Sequence, residues 1–138
     1  MKTSLTATVG RMALVGFTVV LLAGCSAATE EIAAGDVAQE FARSVASKPD
    51  RACDLLAPET RAAVEQDGPC AEQMADLDIP TNGRIVDAAV AGHSARVSTA
   101  QDRMFLALFD SGWRVMAAGC GPAASADNNQ PADCVVKD

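Results

Sequence analysis

The chain has 138 residues, with 11 Lys and Arg against 18 Asp and Glu for a net charge of −7, and only 4% of its residues are aromatic. That length holds one domain of ordinary size once a leader is set aside. The acidity, with no basic run, argues against nucleic acid or anionic lipid as the main partner, because both are held by clustered Lys and Arg.

The N-terminus has the anatomy of an export signal. Lys2 and Arg11 make a positive start, Met12 to Gly24 is uncharged and mostly apolar, and small residues close the stretch. Thirteen residues at 1.5 Å each give a helix of about 20 Å, short of a hydrocarbon core of about 30 Å. A removable leader is therefore expected over residues 1–24, with a short spacer over 25–30 and a single α+β domain over 31–138. Without Lys2 and Arg11, nine basic residues face eighteen acidic ones, a net charge of −9. Five cysteines are an odd number for an exported chain, so one needs a separate fate.

From Glu31 to Ser47, Ala34, Val37, Ala38, Phe41 and Val45 recur at helical spacing, with Asp36, Glu40, Arg43 and Ser47 opposite. This predicts a long amphipathic helix. Lys48-Pro49-Asp50 breaks it, and Asp50 is placed to cap a second short helix running through Leu56. Pro58 suits the first turn of a third helix, ending near Gly68, and Pro69 opens a fourth over Cys70 to Leu77.

Beyond Ile79-Pro80-Thr81-Asn82-Gly83 the period falls to two. Val86, Ala88 and Val90 alternate with Asp87 and Ala89, and Ala95, Val97 and Thr99 alternate with Ser94, Arg96 and Ser98. Gly92-His93 turns between them. Met104 to Phe109 is apolar on both faces, and Asp110-Ser111-Gly112 leads into a strand in which Trp113, Val115 and Ala117 share a face. Residues 121–131 read as a loop, with a short strand expected from Val135. Helices followed by a meander predict an α+β domain with helices on one face of an antiparallel sheet. The doubly apolar third strand should be central, and the second sheet face should need a partner.

The four remaining cysteines, Cys53, Cys70, Cys120 and Cys134, allow three pairings. Spacing favours two local bridges, Cys53 with Cys70 and Cys120 with Cys134. Each would close a loop of about 15 residues, worth about 3 kcal/mol on the chain-entropy model. No Cys-x-x-Cys pair suggests a metal site, and no cofactor is expected.

The residues Leu22-Ala23-Gly24-Cys25 resemble the lipobox of bacterial lipoproteins. Together with the run Ala52-Cys53-Asp54-Leu55-Leu56-Ala57-Pro58 and the run from Gly112 to Cys120, they resemble a group of small actinobacterial lipoproteins. The resemblance implies that the Cys25 thiol takes a diacylglyceryl group and that cleavage follows before it. Two or more acyl chains of the palmitate class anchor a domain stably to the outer face of the cytoplasmic membrane, where one chain would not. It also implies a cone-shaped roll like that of nuclear transport factor 2 and the ketosteroid isomerases, a curved sheet wrapped over a long helix. That family is largely without assigned activity.

Enzymes on the cone fold place an Asp or His base in a pocket, with tyrosine polarising a carbonyl. This chain has no tyrosine and one histidine. Asp54, Asp87, His93 and Asp102 are the candidates for a base, with His93 and Asp102 as a conceivable dyad. Ser94, Ser98, Ser111 and Ser125 lack a nucleophile-elbow context, and no phosphate loop occurs. Asp76 and Asp78 read as solvated charges at a helix end. Phe41, Phe105, Phe109 and Trp113 are core residues or the lining of a pocket. The reading the sequence favours is a non-enzymatic binding or accessory module for an apolar ligand or an envelope protein. The alternatives are an isomerase or dehydratase, and a structural or signalling adaptor.

Overall fold

A computed structural model describes residues 24–122 and 133–138. The expected leader lies outside them except for Gly24, as do residues 123–132 of the late loop. Helix α1 spans Gly24–Ser47, α2 Pro49–Leu55, α3 Pro58–Val64 and α4 Cys70–Asp76, with a 3₁₀ turn over Glu65–Asp67. Strands β1 (Ile85–Ala91), β2 (Ser94–Thr99), β3 (Arg103–Phe109) and β4 (Gly112–Ala117) follow, in the order β1-β2-β3-β4 and antiparallel throughout. This is the helices-on-a-meander domain that the change of period predicts. The sheet is not strongly curled, which corrects the expected curved roll.

Helix α1 begins earlier than its apolar stripe suggests. The residues expected as a spacer, Ser26 to Glu30, are helical, because Ala27, Ala28 and Glu30 are strong helix formers and Glu30 is tied to the sheet. Its Oε2 accepts from Trp113 Nε1–H at 2.9 Å. Farther along, Ala34, Ala38, Phe41 and Val45 are buried against the strands, and the small alanines let the helix lie close.

Helix α2 starts with Pro49 in its first turn and Lys48 at the cap, with no side-chain capping bond. Asp50 therefore sits inside the first turn, where a carboxylate still meets the positive end of the helix, and does not cap it. Both expected disulfides are present, Cys53–Cys70 joining α2 to the start of α4 and Cys120–Cys134 closing the late loop. After Cys134 the chain makes an isolated bridge, Val136 to Ala118, in place of the expected short strand.

The core lies between helices and sheet. Val97, Met104, Leu106, Trp113 and Val115 are buried from the sheet side, against Phe41, Leu55 and Met74 from the helices. Two bulges adjust the register: Ile85 pairs with Thr99 and Asp87 with Ser98, leaving Val86 extra, and Met116 is extra opposite β3. The first corrects the strict alternation expected of β1. Ile85 packs against the core, while Val86 is turned out and 63% exposed.

Candidate functional site

The candidate bases do not converge. His93 is exposed in the β1–β2 turn and Asp102 is buried in the β2–β3 turn, at opposite ends of β2 and about 20 Å apart at strand rise. Asp54 is exposed and accepts from Arg61 Nη1–H at 3.3 Å, and Asp87 accepts from Arg96 Nη2–H at 3.3 Å, also in solvent. Asp76, the last residue of α4, and Asp78, just beyond it, are exposed. Among the described residues no three His, Cys, Asp or Glu side chains are grouped to hold a metal.

Among the described residues Asp102 is the one carboxylate held in the interior, 1% exposed. Its Oδ1 accepts from the backbone N–H of Arg103 at 2.7 Å and of Cys120 at 2.8 Å, and its Oδ2 from that of Gly119 at 3.0 Å. Burial pushes the carboxyl above its ordinary value of 3.8, while the amides of Gly119, Arg103, Cys120 and Gly121 pull it back. Thr99 positions the turn: its Oγ1 accepts from Asp102 N–H at 2.9 Å and from Gln101 N–H at 3.3 Å. The carboxylate is thus occupied by backbone donors and ties the β2–β3 turn to the disulfide loop. Thr99-x-x-Asp102 at the foot of a strand was the signal for this role, since hydroxyl and carboxylate side chains compete for turn amides.

Among the described residues the four large aromatic side chains divide between two layers. Phe41 and Trp113 fill the space between helices and sheet, whereas Phe105 and Phe109, half-buried, stand on the alternate positions of β3 that face away from the helices. They do not line one cavity.

The apolar hollows flank β1. Between the first turns of α1 and this strand runs a groove of about 430 Å³, floored by Ala28, Ile32, Gly35, Ile85 and Ala88 and rimmed by Glu31 and Asp36. Ile32 is 66% exposed there. On the opposite face of the sheet, a hollow of about 230 Å³ is bounded by Ala89, Ala91, Ser94, Arg96 and Phe105. The sequence held two unread signs of the groove. Ile32 stands off the buried stripe of α1, and Gly35 interrupts a helix, which costs about 1 kcal/mol relative to alanine and marks a close approach. A Cβ on Gly35 would meet Ile85 Cδ1 at 3.3 Å.

The two sheet edges differ. Beside β4, Ala57 N–H donates to the Val115 carbonyl at 2.8 Å and Thr60 Oγ1–H to the Met116 carbonyl at 3.0 Å, with Leu56 bridged to Val115. Beside β1, no described segment pairs with the strand on its outer side. Of the three large exposed hydrophobic residues among those described, Ile32, Val86 and Val135, Val86 belongs to β1 and Ile32 to its groove. No helix among the described residues is long and apolar enough to cross a membrane. Comparison with protein-family models, with curated proteins and with solved structures gave no match.

Proposed function

We propose that the chain is a lipoprotein, anchored through an acylated Cys25 on the outer face of the cytoplasmic membrane, whose domain is a non-enzymatic binding module. The observation that carries the address is the closure of Cys53–Cys70 and Cys120–Cys134. Two bridges suit an oxidising compartment, and they leave Cys25, at the end of the lipobox-like run, as the cysteine outside both pairs. The small lipoproteins that the chain resembles support the same address, through the lipobox-like run and the two cysteine-bearing runs.

A binding role is supported by the apolar groove along α1 and by the commitments of the candidate bases. Three of them stand in water, and Asp102 is engaged by backbone amides. Partners of the domain are an apolar small molecule or an envelope protein. Mass spectrometry of the protein extracted from membranes tests the anchor: the mature chain should begin at an acylated Cys25, and Cys25→Ala should move the protein out of the membrane fraction. Unmodified Cys25, or membrane retention of the alanine variant, would sink the assignment.

A further inference from the structure

We infer that the outer edge of β1 is a docking site for an extended polypeptide segment, which adds to the sheet as a fifth strand and carries apolar side chains at alternate positions with Lys or Arg beside them. The inference deepens the reading of the domain as a binding module and names the class of partner.

The hydrogen-bonding direction of β1 follows from its neighbours. The His93 carbonyl accepts from Leu108 N–H at 2.8 Å, so 95 and 97 bond toward β3 while 94, 96 and 98 bond toward β1. Their partners on β1 are Ala91, Ala89 and Asp87, which therefore bond inward, and the intervening Ala88 and Val90 aim their N–H and C=O groups away from the sheet. No described residue receives them. Edge strands are ordinarily blunted by Lys, Pro or covering segments. Here Ile85–Ala91 carries one charge, Asp87, and no lysine or proline, and the bulge at Val86 leaves Asp87 to Ala91 in regular register.

Backbone groups supply adhesion in strand addition, and pockets for alternate side chains supply selectivity. Both are in place. An added strand would turn one set of side chains toward the groove of Ala28, Ile32 and Ile85 and the other toward the hollow of Ala89 and Phe105.

Charge selects the occupant. Glu31 and Asp36 rim the groove beside the edge, so a strand bearing Lys or Arg is complementary. A second copy of this chain, paired edge to edge about a two-fold axis, would bring a second Glu31 and Asp36 toward the first and add −7 to a chain already at −7.

The test uses the full-length protein in detergent and a fluorescent seven-residue peptide alternating valine with threonine, with lysine at each end. Saturable binding is expected, at least tenfold weaker for the same peptide N-methylated along one edge and for its glutamate counterpart. Val90→Pro removes an outward N–H without touching the ladder to β2 and should abolish binding, with Trp113 fluorescence and thermal unfolding reporting an intact fold. The double change E31K/D36K, at a half-buried and an exposed position, should reverse the lysine–glutamate preference. Absence of binding to the unmodified protein, equal binding of the N-methylated peptide, or an unchanged charge preference in E31K/D36K overturns the inference. So does a dimer of the wild type that Val90→Pro dissolves, which would mean that a second copy fills the edge. Acylation of Cys25 does not enter this measurement, so failure here and failure of the membrane anchor are separate results.

Discussion

Asp102 Oδ1 accepts from the backbone N–H of Cys120 at 2.8 Å, across eighteen residues of chain. A buried carboxylate at the foot of the sheet thereby fixes the residue from which the second disulfide loop departs.

Replacing Asp102 by alanine leaves the N–H groups of Arg103, Gly119 and Cys120 without that acceptor in a largely buried site. An unsatisfied buried polar group costs about 1–3 kcal/mol, so Asp102→Ala should lose on the order of 3 kcal/mol in urea unfolding. A loss under about 0.5 kcal/mol would mean that the turn and the loop do not depend on the carboxylate.

The same residue gives a pH dependence with an unusual sign. Its pKa is raised above 3.8 by burial, so the folded protein binds this proton at a higher pH than the unfolded chain does. The group's contribution to stability therefore grows as pH falls from the raised pKa toward 3.8. Glu40, whose pKa is lowered by its hydrogen bond from Arg51, acts in the opposite direction: its contribution is present above 4.5 and is lost as pH falls through the lowered pKa. The urea midpoint of the wild type should rise relative to that of Asp102→Asn as the pH is brought down through the acidic window. A relative fall would contradict the assigned direction.

The bond from Trp113 Nε1–H to Glu30 Oε2 fastens the early turns of α1 to β4. Glu30→Ala should cost about 1 kcal/mol and speed amide hydrogen exchange over residues 26–32, while exchange in β3 stays slow. Trp113 is the chain's one tryptophan, so its emission reports the change directly. Unaltered exchange over 26–32 would show that the helix start holds itself.

Gly119 has φ +70°, and a Cβ there would stand 2.7 Å from Val135 Cβ. Gly119→Ala combines left-handed strain of about 1 kcal/mol with that clash. It should lower the melting temperature by roughly 5–10 °C at the usual conversion for a domain of this size. The companion Gly92→Ala, at φ +60° with nothing within 4 Å of its Cβ, should lose only the strain part. Equal losses would remove the role of Val135.

Local pattern carried much of this architecture. The stripe of Ala34, Ala38, Phe41 and Val45 located α1, the alternation of Ala95 with Val97 and of Trp113 with Val115 located β2 and β4, and loop length paired the cysteines. What stayed hidden depends on partners distant in the chain. Val86 turns outward because a bulge opposite Thr99 inserts a residue, and nothing in the run from Ile85 to Ala91 announces it. Asp102 looked like an ordinary turn aspartate because its acceptors' partners lie at 119 and 120. The groove escaped notice for the same reason: Ile32 and Ile85 are far apart in sequence, and neither is exceptional alone.

The closed edge of β4 and the open edge of β1 have a consequence for stoichiometry. Growth of a sheet from molecule to molecule needs two free borders, one to receive and one to offer. Leu56, Ala57 and Thr60 occupy one of them, so strand addition at β1 terminates after a single step. Complexes formed through this sheet have a fixed size that does not climb with concentration, and a crowded population of these molecules has no route through its sheet borders to a fibre.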